Sequence, residues 1–108
     1  MTPTSVIDAF AVLAEPNRRR ILDRLRLAEC SVTDLVAALA ISQPAASKHL
    51  RVLREAGFVT CRVAAQHRIY RIEPAPLAAV DAWLQPYRRL WEHHLDALVR
   101  HLDLMEDS

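Results

Sequence analysis

At 108 residues, 52% hydrophobic and 25% charged, the chain has the length and composition of one folded globular domain and not of a disordered segment. Its net charge of +1 shows no overall bias toward a polyanion, no apolar run nears the ~18 residues of a membrane span, and the amino end lacks a secretory apolar stretch, so a soluble, cytoplasmic protein is expected. The single glycine, Gly57, excludes Gly-rich phosphate loops and dinucleotide fingerprints, while Cys30 and Cys61, with no CxxC, are too few for a disulfide framework or a zinc knuckle.

In chain order, Val6, Ile7, Phe10 and Leu13 recur at helical spacing and predict a short helix over 4–14. Pro16 suits a first helical position, and Ile21, Leu22 and Leu25 carry a second helix surrounded by Arg18, Arg19, Arg20, Arg24 and Arg26. Ser31 is placed to cap the next helix, with Asp34 three residues on in a capping-box arrangement and Val32, Leu35, Val36 and Leu39 as its apolar stripe. Ala40 and Ile41 form a tight connection. Ser42 caps a longer helix over 42–56 that tolerates Pro44 in its first turn and ends at Gly57. Alternating residues predict strands at 59–63 and 67–73, joined through Ala64, Ala65 and Gln66, with Cys61 a small residue on the inward face beside Val59 and Val63. Pro74 and Pro76 precede a last helical region over 76–103, which Pro86 should kink or split after about residue 84. Glu106–Ser108 read as a frayed tail. The expected fold is mainly α with a small β-hairpin, in the order α-α-α-α-β-β-α: one winged helix-turn-helix domain over 1–108.

On a wheel of about 100° per residue, Ala46, Leu50 and Leu53 of the 42–56 helix cluster on one side as a core face. Pro44, Ser47, Lys48 and Arg51 lie opposite, with Gln43 at the edge and Ser42 at the amino end. Small residues there let a backbone approach, and Gln, Ser, Lys and Arg reach base edges or phosphates, which is what a helix in a DNA major groove requires. Residues 42–71 hold six cations against one acid, a net +5, whereas residues 75–108 carry a net −3. The near-neutral total thus hides a cationic half. Arg62, Arg68 and Arg71 can contribute from the 59–73 wing, Arg68 nearest its tip. Arg54, beside Glu55, can equally be an ordinary solvated charge.

The segments Leu13-Ala14-Glu15-Pro16-Asn17-Arg18-Arg19-Arg20-Ile21-Leu22, Ser31-Val32-Thr33-Asp34-Leu35, Ser42-Gln43-Pro44-Ala45-Ala46-Ser47-Lys48-His49-Leu50 and Leu53-Arg54-Glu55-Ala56-Gly57-Phe58-Val59 together resemble the bacterial arsenical-resistance-repressor (ArsR) family of winged helix-turn-helix regulators. The resemblance spans about residues 8–103. It implies a homodimeric repressor on a palindromic operator of double-stranded DNA, with Ser42, Gln43, Pro44, Ser47, Lys48, Arg51, Arg62 and Arg68 as the candidate DNA-binding residues. The family's dimer uses the first and last helices. That agrees with the surplus of large apolar residues here: Phe10, Leu13, Trp83, Tyr87, Trp91, Leu95 and Leu98 are the candidate interface, more than a small domain leaves in water.

Many family members release DNA on binding metal. At the family's Cys-Val-Cys-Asp-Leu site this chain has Ser31-Val32-Thr33-Asp34-Leu35, without the thiolates that soft metals want. At the family's second site, on the last helix, Asp81 and His94 match but Trp83 and Ala97 replace the other two ligands. No metal site and no cofactor is therefore expected. A sensor using His93, His94 and His101, or the thiols of Cys30 and Cys61, is the alternative of the same fold, and a protein-interaction module that lost DNA binding is the alternative of another class. His49 flanks the core face and can support the helix or touch DNA. An enzyme is not expected, because no nucleophile–base motif or phosphate loop is present.

Overall fold

The computed structural model describes residues 6–106. Its elements are α1 (Val6–Leu13), α2 (Pro16–Leu25), β1 (Cys30–Ser31), α3 (Val32–Leu39), α4 (Gln43–Glu55), β2 (Val59–Ala64), β3 (His67–Ile72) and α5 (Ala75–Glu106). Residues 4 and 5 of the first predicted helix, and residues 107 and 108 of the tail, lie outside the described residues.

Helix starts follow the capping chemistry. Glu15 caps α2, its carboxylate accepting from the Arg18 N–H at 3.1 Å, with Pro16 in the first turn. Ser31 and Asp34 form a full capping box on α3: the Asp34 N–H donates to Ser31 Oγ at 3.2 Å and the Ser31 N–H donates to Asp34 Oδ2 at 3.1 Å. Hydrogen bonding to the carboxylate, first from the Ser31 N–H and then from the Ser31 hydroxyl, holds Asp34 below its usual pKa. Ser42 Oγ accepts from the Ala45 N–H at 3.2 Å and caps α4.

Two helix ends need left-handed backbone. Ala40, at φ 54° and ψ 42°, ends α3 and makes the turn of the helix-turn-helix. Gly57, at φ 82°, follows α4 in a Schellman motif: its N–H donates to the Arg54 carbonyl at 3.0 Å and the Phe58 N–H donates to the Leu53 carbonyl at 2.8 Å. That motif drops Phe58 and Val59 directly into the core.

The strands form an antiparallel sheet in the order β1-β3-β2. The short β1 was not anticipated, because two residues carry no periodicity; it pairs Cys30 with Tyr70 and Ser31 with Ile69. In the hairpin Val59 pairs with Ile72 and Ala64 with His67. Ala65 at φ 56° supplies the positive φ that a two-residue hairpin turn needs at its first central position, without glycine. The expected inward alternation fails at the tip: Val63 is 72% exposed and Cys61 is only half-buried, because the hairpin outruns the helices beneath it.

Ile21, Leu35, Leu50, Leu53 and Phe58 are fully buried at the centre, with Ala9, Leu22, Leu25, Val59 and Tyr70 around them. Leu77 and Val80 dock the start of α5 onto this core. Pro86 does not split α5, which runs as one helix of 32 residues, about 48 Å long. The proline removes one backbone donor, but contacts straddle it: Trp83 stacks on Tyr87 at 4.7 Å between ring centroids, and Asp81 pairs with Arg88. Beyond Arg88 the helix leaves the core, and every residue from 89 to 106 is exposed. The molecule is accordingly elongated, 67 × 33 × 20 Å.

Candidate nucleic-acid interface

The core face of α4 is as the wheel requires: Ala46, Leu50 and Leu53 are fully buried, while Gln43, Pro44, Ser47, Lys48 and Arg51 are exposed on the far side. Between that face and the wing lies a groove of about 600 Å³ lined by Pro44, Ser47, Lys48, Arg51, Arg54 and Arg68, with Val32 and Tyr70 at its floor. Four cations and no acid line it. Tyr70 is buried, which pushes its phenol pKa up together with the neighbouring Cys61, while the adjacent Arg68 opposes the shift.

The cations divide by what they hold. The side chains of Lys48, Arg51 and Arg54 have no hydrogen-bond or ion-pair partner among the described residues. Several other arginines are engaged: Arg62 pairs with Glu29, Arg71 with Glu73 at 3.6 Å and with Thr60 Oγ1 at 3.1 Å, and Arg88 with Asp81. Free cations aimed into one concavity, with no internal carboxylate, keep their full charge for an external polyanion.

The candidate DNA-binding residues separate accordingly. Pro44, Ser47, Lys48, Arg51 and Arg68 converge on the groove. Gln43 is exposed beside it, Ser42 has its hydroxyl committed to the helix cap, and Arg62 sits on the edge strand β2, turned to Glu29. The sequence does not pick out Tyr70, and it leaves Arg54 evenly balanced between a DNA contact and a solvated charge. Arg54 lies near Gln43 on the wheel, which was a usable signal, but Glu55 next to it in sequence disguised it; Glu55 makes no ion pair with it. His49 faces away from the groove: its Nε2 lies 3.4 Å from Glu15 Oε2, and its side chain is 16% exposed.

The apolar candidates fall into two groups. Leu13 packs against the core and Phe10 meets Trp83 edge-on at 5.2 Å, joining α1 to α5. Trp83, Tyr87, Trp91, Leu95 and Leu98 remain 45–64% exposed. On the wheel, Leu84, Tyr87, Trp91, Leu98, Leu102 and Met105 fall along one side of α5.

The sensor candidates are not drawn together within the chain. No three His, Cys, Asp or Glu residues among the described residues could share a metal ion, and Asp81 is held by Arg88. Cys30 and Cys61 pair with opposite sides of Tyr70. Two strand spacings, about 9.5 Å, therefore separate their backbones, too far for a disulfide unless β3 moves. Burial raises the Cys30 thiol pKa and keeps it protonated.

Known proteins share this sequence and this fold. The sequence pattern of the bacterial regulatory proteins of the arsR family matches residues 15–60, the span from the α2 cap to the start of the wing. A transcriptional regulator of helix-turn-helix type from Mycobacterium tuberculosis, Rv2034, is 36% identical over 100 residues, covering 93% of this chain and 91% of that protein. The arsenical resistance operon repressor of Escherichia coli is 35% identical over 97 residues, 89% of this chain and 83% of its own. The crystal structure of the ArsR family transcriptional regulator RHA00566 superposes with a TM-score of 0.71 at 32% identity, covering 85% of this chain and 95% of the other. The chain belongs to the arsR family of bacterial transcriptional regulators, a family of DNA-binding proteins and not of enzymes.

Proposed function

We propose that the chain is a homodimeric repressor that grips a palindromic operator with α4 in the major groove and the β2–β3 wing over the adjacent minor groove. The observation that carries this reading is the groove between α4 and the wing, lined by four cations and no carboxylate. A helix in one DNA groove and a hairpin in the next must straddle the sugar–phosphate ridge between them. Lys48, Arg51, Arg54 and Arg68 line the concavity where that ridge would run, so phosphate neutralisation supplies most of the affinity. Gln43, Ser47 and Arg51, at the exposed start and middle of α4, are the residues that read bases.

The dimer is supported by α5. An exposed apolar stripe carrying Tyr87, Trp91 and Leu98 calls for a partner, and a second copy related by a twofold axis offers an identical stripe. It would bring two α4 helices to successive major grooves, which explains why a palindrome with half-sites one helical turn apart is expected.

Selection of duplexes from a random pool by the purified chain tests the proposal. A palindrome enriched by the wild type and lost by the triple variant Gln43→Ala, Lys48→Ala, Arg51→Ala supports it. Retention of that duplex by the triple variant at wild-type affinity would show that the α4 face is not the reading surface.

A further inference from the structure

The run Glu15-Pro16-Asn17-Arg18-Arg19-Arg20 carries three consecutive cations in a DNA-binding protein, and none of the three lines the groove. Their donors are taken up by backbone carbonyls of the chain instead. Arg18 Nε donates to the Val12 carbonyl at 2.9 Å and Arg19 Nη1 to the Leu13 carbonyl at 2.6 Å, taking up carbonyls at the end of α1 that have no helical partner. Arg20 Nη2 donates to the Leu39 carbonyl at 2.7 Å, at the end of α3 immediately before the left-handed turn residue Ala40. One short corner thus fastens the helix on one side of it and the helix-turn-helix turn on the other.

The corner also reaches α4 itself. Glu15 Oε2 caps α2 and lies 3.4 Å from Nε2 of His49. Burial works against the Glu15 carboxylate, but the N–H groups of Asn17 and Arg18, with His49 and Arg18 charge beyond them, hold its pKa below the ordinary value and keep it an anion. His49 Nδ1 is buried without a hydrogen-bond partner. A leucine at 49 would avoid that unpaired nitrogen, but it could not reach Glu15.

We propose that Glu15 and His49 form a joint that sets the direction of α4, with Arg20 as its second anchor, and that these are positioning residues for DNA binding that never touch DNA. Two attachments, at the turn before α4 and at its middle, fix the direction of a rod; either alone lets it pivot. Because Arg18 and Arg19 seize the end of α1, and α1 carries Phe10 against Trp83 of α5, the same corner links the direction of α4 to the α1–α5 pair. The inference rests on the DNA-binding reading, since a direction matters only if α4 enters a groove.

The test is a double-mutant cycle on the full chain. His49→Ala, Glu15→Ala and their combination are compared with the wild type for affinity to a duplex selected by the wild type, from about 50 to about 300 mM salt, with thermal melts to show that each is folded. Each single variant should lose about tenfold in affinity, the double no more than about tenfold, and His49→Gln, which restores a donor, should recover most of it. The slope of affinity against salt should match the wild type throughout, because no phosphate contact is removed. Folded single variants that bind like the wild type overturn the joint. So does a shallower salt slope for His49→Ala, which would make His49 a phosphate contact, and so do strictly additive losses. Glu15→Gln, which keeps the cap acceptor but weakens the contact, carries the same test if the alanine variants melt. A wild type that retains no duplex from the pool would overturn the DNA-binding reading and the joint with it.

Discussion

Arg54 and Arg62 are both exposed arginines of the cationic half, and they should behave oppositely on DNA. Arg54 lines the groove without a partner, whereas Arg62 is neutralised by Glu29 on the outer edge of the sheet. With Arg51 reading bases, the groove's other cations, Lys48, Arg54 and Arg68, neutralise up to about six phosphates in a dimer and give a log–log salt slope of about −5. Arg54→Ala removes one contact from each groove and should make the slope shallower by about 1.8. Across a fourfold rise in salt the variant should then lose about twelvefold less affinity than the wild type loses. The weakening should be the same for matched and mismatched duplexes, because a phosphate contact reads no sequence. Arg62→Ala should leave the slope unchanged. Fluorescence anisotropy on a labelled duplex at five salt concentrations measures both variants. Equal slopes for wild type and Arg54→Ala, or a flattened slope for Arg62→Ala, would refute the assignment of the groove to the phosphate ridge.

Leu98→Glu or Trp91→Glu, each placing a charge on the exposed stripe of α5, should turn a dimer into a monomer in sedimentation velocity while the far-ultraviolet dichroism of the head persists. Gly57→Ala should destabilise the fold by about 1 kcal/mol: an added Cβ meets only Pro76 Cγ at an ordinary 3.7 Å, so the cost is that of the left-handed backbone alone, read as a fall of ~5 °C in Tm. Ala40→Gly should act in the other direction, gaining about 0.5 kcal/mol, because the relief at φ 54° exceeds the added freedom of the unfolded chain. The acid limb of stability should follow Asp34 and Glu15. Both have folded pKa values below the unfolded 3.8 and 4.5, so their contribution is complete above about pH 5 and disappears as pH falls through the depressed values. Urea midpoints of Asp34→Asn against the wild type should therefore converge on the acid side and diverge above it.

Much of the fold was legible because local signals agreed. Ser31 with Asp34, Ser42 with Pro44, and Gly57 each act over three or four residues, and such contacts survive into the folded state unchanged. The buried face of α4 was legible for the same reason, since period alone separates Leu50 and Leu53 from Lys48 and Arg51. What sequence could not supply was long-range pairing. Nothing local joins Arg62 to Glu29, 33 residues earlier, or Arg20 to the Leu39 carbonyl. The roles of the arginines therefore had to wait for the fold: charge count marked the right half of the chain, but the partners of each cation decide which remain available. Pro86 shows the converse. Its local penalty is real, yet α5 runs through it unbroken, with Trp83–Tyr87 and Asp81–Arg88 straddling the position.

The outer half of α5 has a consequence for how the molecule breathes. Residues 89–106 form five turns in which every residue is exposed, and a helix of that length with so little burial is marginal in water. Its amides should exchange with solvent at the protection of an isolated peptide helix whenever the chain stands alone. Those of α4 and β2, closed over Leu50, Leu53 and Phe58, should exchange only when the whole domain opens. The chain is thus two cooperative units on one backbone, and the slow unit is the one that carries the cationic groove.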